Sequence, residues 1–66
     1  MQLTRYELRM YDSNGKLIAY VPFETQQQAI DYFITDDEMN SDDWALYFVI
    51  LTPNSDHAEF LRRLTK

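Results

Sequence analysis

Leu3-Thr4-Arg5-Tyr6-Glu7-Leu8-Arg9-Met10-Tyr11 is the stretch on which the fold turns. Tyr6, Leu8 and Met10 alternate with Arg5, Glu7 and Arg9. A period of two with one polar face predicts a half-buried strand. Ser13-Asn14-Gly15-Lys16 follows, and it contains the sole glycine of the chain. Asn-Gly between alternating segments predicts a tight hairpin of the type I′ kind, in which both central residues take positive φ. Leu17 to Phe23 then reads as the returning strand, ended by Pro22-Phe23.

Beyond the hairpin, Thr25 and Gln28 have the spacing of a capping box, so a helix should open at Thr25. Ala29, Ile30, Phe33 and Ile34 form its apolar stripe, and it should stop near Thr35. The polar run from Asp36 to Asp43 has no apolar period and predicts a loop of about eight residues, longer than the usual connection. Trp44 to Thr52 reads as a third strand, apolar on both faces and so covered on both. Pro53-Asn54-Ser55 breaks it. A last helix is expected from Asp56 to Leu64, with His57, Phe60, Leu61 and Leu64 on one side. Asp56 and Glu59 in its first turn and Arg62 and Arg63 in its last would complement the helix dipole. The expected fold is a single α+β domain over residues 1–66, ordered β-β-α-β-α. Its three-stranded antiparallel sheet would have the order 2-1-3, with the helices packed on it. The third strand would then be a long apolar edge, a hazard unless a partner or a second copy covers it.

Composition narrows the function classes. Sixty-six residues make one small domain, which buries only about 60% of the surface of its unfolded chain. Five Tyr, four Phe and one Trp compensate, because large rings bury much area each. There is no cysteine, so disulfides and thiolate metal sites are excluded and a reducing, cytoplasmic setting is expected. The longest apolar run, Trp44 to Leu51, falls well short of the ~20 residues of a membrane-spanning helix. The net charge is −5, and its distribution is uneven. Arg5, Arg9, Lys16, Arg62, Arg63 and Lys66 are all near the ends, and no Lys or Arg lies between Leu17 and Leu61. Such a middle repels free nucleic acid and anionic lipid.

Catalytic chemistry finds no purchase. Ser55, Asp56 and His57 hold the residue types of a hydrolytic triad, but neighbours in one helical turn point in different directions. A substrate pocket of ~300 Å³ is also large for so small a domain. No enzyme activity and no cofactor are expected. Asp36, Glu38, Asn40 and Asp42 alternate like the opening of a calcium loop. The pattern then fails, with Ser41 where the turn needs glycine and Tyr47 where a bidentate Glu belongs. No metal site is assigned, although flanking carboxylates could hold Ca²⁺ weakly. Zinc would need His and Cys ligands that the chain lacks.

The acidic run carries the functional expectation. Asp36, Asp37, Glu38, Asp42 and Asp43 cluster with no cation among them, and Trp44 follows at the start of a strand. Clustered like charges cost stability. A face of this kind gains on-rate and specificity against a basic patch, and a Trp beside a charged rim suits an interface anchor. In size and composition (tiny, acidic, cysteine-free and aromatic-rich) the chain is similar to small inhibitors encoded by bacteriophages and mobile elements. These include anti-CRISPR proteins, anti-restriction proteins and nucleic-acid mimics. The similarity implies a non-catalytic inhibitor or regulator of a protein with a basic patch, one that handles nucleic acid, and it transfers no residue role. Two other readings remain open. One is a homodimeric accessory protein associating through the third strand and the last helix. The other is a weak nucleic-acid binder using Arg5, Arg9 and the C-terminal basic residues, with Tyr11 and Tyr20 for stacking.

Overall fold

The computed structural model describes residues 3–40 and 42–65. Five elements follow one another: β1 (Leu3–Tyr11), β2 (Leu17–Phe23), α1 (Gln26–Thr35), β3 (Trp44–Leu51) and β4 (Asp56–Arg63). The strands form one antiparallel sheet in the order β2-β1-β3-β4. The class is α+β, with one helix on a four-stranded sheet rather than two helices on three strands. The molecule is a thin plate, 36 × 29 × 16 Å, because one sheet face carries a helix and the other carries no element.

The first hairpin forms as the alternation demands, with Leu8 opposite Val21 and Tyr6 opposite Phe23. Its turn is not type I′. Gly15 has φ of +82°, and no other described residue has positive φ, so Asn14 does not take the conformation that a type I′ turn requires. The Asp12 and Lys16 backbones instead close a three-residue loop, and Gly15 N–H donates back to the Asp12 carbonyl at 3.0 Å. The Asp12 carboxylate accepts from the N–H groups of Asn14 and Lys16. That Asx-type bracing lets one left-handed glycine do what type I′ asks of two residues.

Helix α1 starts where its sequence signal lies. Gln28 N–H donates to Thr25 Oγ1 at 3.1 Å, and Thr25 N–H donates to Gln28 Oε1 at 3.2 Å. Ala29 and Phe33 are wholly buried against Leu8 and Leu46, and Ile34 points to solvent. Met39 and Leu64 complete this core from the loop and from beyond β4, with Tyr6, Val21, Phe23, Ile30 and Trp44 around it. Burial of Phe33 alone contributes about 2–3 kcal/mol.

The expected last helix is a strand. Thr52 N–H donates to the Ser55 carbonyl at 3.1 Å, and Ser55 N–H donates to Thr52 Oγ1 at 3.1 Å. This four-residue reversal lays Asp56–Arg63 back along β3, with Leu51 opposite Asp56, Val49 opposite Ala58 and Tyr47 opposite Phe60. Two physical terms favour the strand. A helix of nine residues is marginal on its own. It would also leave one backbone row of β3 without partners, which pairing with β4 satisfies. Leu61 is an extra residue at a bulge, because Phe60 pairs with Tyr47 and Arg62 with the adjacent Leu46. The third strand is therefore central rather than an edge, and its pairing with β4 replaces the expected surface of third strand plus last helix.

Candidate interaction surfaces

The connection from α1 to β3 holds all the acids singled out in the sequence. Asp36 caps α1, its N–H donating to the Tyr32 carbonyl at 3.1 Å. Its Oδ1 accepts from Glu38 N–H at 2.9 Å, and Met39 N–H reaches the Asp36 carbonyl. Further on, Asn40 Oδ1 accepts from Asp42 N–H, and Asp43 N–H donates to the Asn40 carbonyl at 3.0 Å. Met39 is buried in the core and pins the connection from within. Asp37, Glu38, Asp42 and Asp43 are exposed, and among the described residues none of the four makes an ion pair. The nearest basic contact is Arg63 Nη1 on the backbone carbonyl of Asp42, at 3.5 Å. Trp44 is half-buried at the end of this run, one side of it packed on the core. The five acids thus lie along one connection, and Trp44 opens β3 at its end. Ser41, part of the calcium-like spacing, lies outside the described residues. Among the described residues no three His, Cys, Asp or Glu side chains gather as a metal site.

The uncovered sheet face is the second surface, and it contains what the sequence reading missed. Arg5, Glu7 and Arg9 share this face, and Glu7 is 1% exposed despite having no helix above it. Arg5 Nε donates to Glu7 Oε2 at 2.5 Å, and Arg9 Nε donates to Glu7 Oε1 at 2.6 Å. Arg9 Nη1 also donates to the Tyr11 hydroxyl at 2.9 Å. The charges pair along one strand, at i and i+2, rather than across strands. The Arg5 guanidinium lies 5.7 Å from the Tyr20 ring centroid, and that of Arg9 lies 5.6 Å from Tyr47. Tyr47 in turn meets Tyr11 and Phe60, each at 5.7 Å between centroids. Guanidiniums and rings therefore tile the sheet and cover the carboxylate. The signal for this arrangement was an acid flanked by arginines two residues away on each side.

The tiling shows in the titration of its members. Burial pulls Arg9 down, but hydrogen bonds with Tyr11 and Glu7, together with the Glu7 charge, outweigh it and leave its pKa above the ordinary arginine value. Burial pushes the Tyr47 phenol above its usual value, Tyr11 adds to the rise, and Arg63 and Arg9 oppose it.

His57 sits on β4, exposed, opposite Ile50. No helix among the described residues is long and apolar enough to cross a membrane. Comparisons with protein-family models, with curated proteins and with solved structures give no match.

Proposed function

We propose that this chain is a non-catalytic binding protein that inhibits or regulates a partner carrying a basic patch. The contact is made by Asp36, Asp37, Glu38, Asp42 and Asp43, with Trp44 as apolar anchor. One observation carries the reading: four exposed carboxylates, without ion pairs among the described residues, stand on a loop that Met39 anchors to the core and two Asx turns brace. Arg63 reaches only the backbone carbonyl of Asp42, and Arg5 and Arg9 are engaged by Glu7. A pre-shaped anionic surface loses little conformational entropy on binding and steers a cationic partner toward itself. Partners whose basic patch ordinarily grips DNA or RNA fit this chemistry best, which is how an anti-defence inhibitor of the mimic type would act.

Affinity capture with the tagged chain tests the proposal, using a triple variant Asp37→Lys, Glu38→Lys and Asp42→Lys alongside the wild type. A protein retained by the wild type, released by raised salt and absent from the variant is the expected result. Equal capture of that protein by both chains, with the variant folded by circular dichroism, overturns the proposal.

A further inference from the structure

The sheet has two edges, β2 and β4, and they are unlike. Pro22 removes a donor from β2, and the register of β2 breaks near the hairpin. Strand β4 pairs regularly with β3 from Asp56 to Phe60. Its other side presents a free row of N–H and C=O groups. Every residue of β4 is exposed except the half-buried Ala58, and Phe60 is 53% exposed.

Charges along β4 are ordered. Asp56 and Glu59 precede Arg62 and Arg63. Charged side chains on an edge deter chance pairing with other strands. This particular order makes an exception for one mate. A second β4 running antiparallel turns the acidic half of each strand toward the basic half of the other, so that Asp56 of one copy comes diagonal to Arg63 of its mate. A parallel mate sets like beside like.

We propose that β4 pairs antiparallel with β4 of a second copy, about a two-fold axis at Ala58, to form one continuous eight-stranded sheet. Ala58 is the midpoint of the unbulged stretch Asp56–Phe60, so both bulges at Leu61 fall outside the ladder. The register sets the small Ala58 opposite itself and His57 opposite Glu59 twice. Asp56 lies opposite Phe60, with Arg63 further along on the same sheet face. Opposite residues share a face throughout, so both helices lie on one side and both Arg-Tyr tilings on the other. The diagonal Asp56 and Arg63 pairs are opposed charges within reach of long side chains, whereas a parallel mate would bring like charges together.

Sedimentation equilibrium with charge-swapped chains tests this directly. The wild type should be a dimer at tens of micromolar, about the range that a modest interface supports. Asp56→Lys with Glu59→Lys makes the edge basic, and Arg62→Glu with Arg63→Glu makes it acidic. Each double variant alone should dimerise at least tenfold more weakly, and an equimolar mixture should recover the dimer. Independently, Ala58→Cys introduces the sole thiol of the chain. Opposed Cα atoms in a strand pair lie about 4.5–5.5 Å apart, so oxidation should give a disulfide-linked dimer. A wild type that stays monomeric at millimolar concentration overturns the proposal. So does a dimer indifferent to both swaps, a mixture that stays monomeric, or an Ala58→Cys chain that does not cross-link. The acidic-loop variant leaves β4 untouched and should dimerise like the wild type.

Discussion

The two faces of the sheet solve one problem by different means. Beneath α1, Leu8 and Leu46 are covered by Ala29 and Phe33, and water is excluded by hydrocarbon. On the opposite face no element arrives, yet Glu7 is as buried as Leu8. There the cover is made of guanidiniums over tyrosine rings, Arg5 over Tyr20 and Arg9 over Tyr47, with both heads on the carboxylate. A very small chain can in this way build a second layer without a second helix. The first face supplies stability through area. The second holds a charge whose burial is tolerable only while both neighbours remain.

Removing the key ring of the apolar face should have the largest effect. Phe33→Ala is expected to cost about 3–5 kcal/mol. A single core of this size supplies only about 3–5 kcal/mol in total. The variant should therefore be largely unfolded at 25 °C by far-ultraviolet circular dichroism, while Phe33→Leu should fold with a lower urea midpoint. A folded Phe33→Ala chain would show that the tiled face carries more of the stability than its chemistry suggests.

The complementary change is on the tiled face. Glu7→Gln leaves two guanidiniums without their shared carboxylate, and it should cost about 3 kcal/mol, the low end for a buried pair because Arg5 is partly solvated. Replacing the trio together, Arg5→Met with Glu7→Leu and Arg9→Met, should be close to neutral or stabilising, since no charge is then left unpaired. Urea midpoints of the two variants check both statements. A harmless Glu7→Gln would mean that the tiling is loose and its carboxylate is solvated.

How far these faces were legible in the sequence follows from the range of the forces involved. The alternation of Leu3–Tyr11, the glycine of the first turn and the Thr25–Gln28 box are local signals, and the elements they mark are present. Even there Asn-Gly misled about turn type, because the Asp12 carboxylate braces a different loop. Asp56–Leu64 was ambiguous for a physical reason. His57, Phe60, Leu61 and Leu64 fit a helical stripe, while the strand alternation of Ala58 and Phe60 is broken by the bulge at Leu61. The unpaired backbone row of β3 settles that choice, and no window on the last segment contains it. Burial of Glu7 was hidden likewise, because Arg-Glu-Arg on alternate positions reads as a solvated face until the tyrosines of β2 and β3 are laid beside it. The acids at 36–38 and 42–43 are neighbours in sequence, so their sharing one connection needs no long-range partner.

The smallest expected effect sharpens the contrast between the faces at high pH. Burial raises the Tyr47 pKa above its ordinary value of 10.0 in the folded chain. Between the unfolded and folded values the native state holds a proton that the unfolded state has lost. Stability from this group is therefore complete below about pH 10 and declines as pH climbs through the folded value. Tyr47→Phe keeps the ring against Tyr11, Phe60 and Arg9 but has no proton to lose. Its urea midpoint should fall less than that of the wild type between pH 9 and pH 11. The fully buried positions of the helix-covered core, Leu8, Ala29, Phe33, Met39, Leu46 and Leu64, carry no ionisable group. Equal declines in the two chains would place the alkaline sensitivity in groups other than Tyr47, and would show that Tyr47 gives up its proton as freely in the fold as in the open chain.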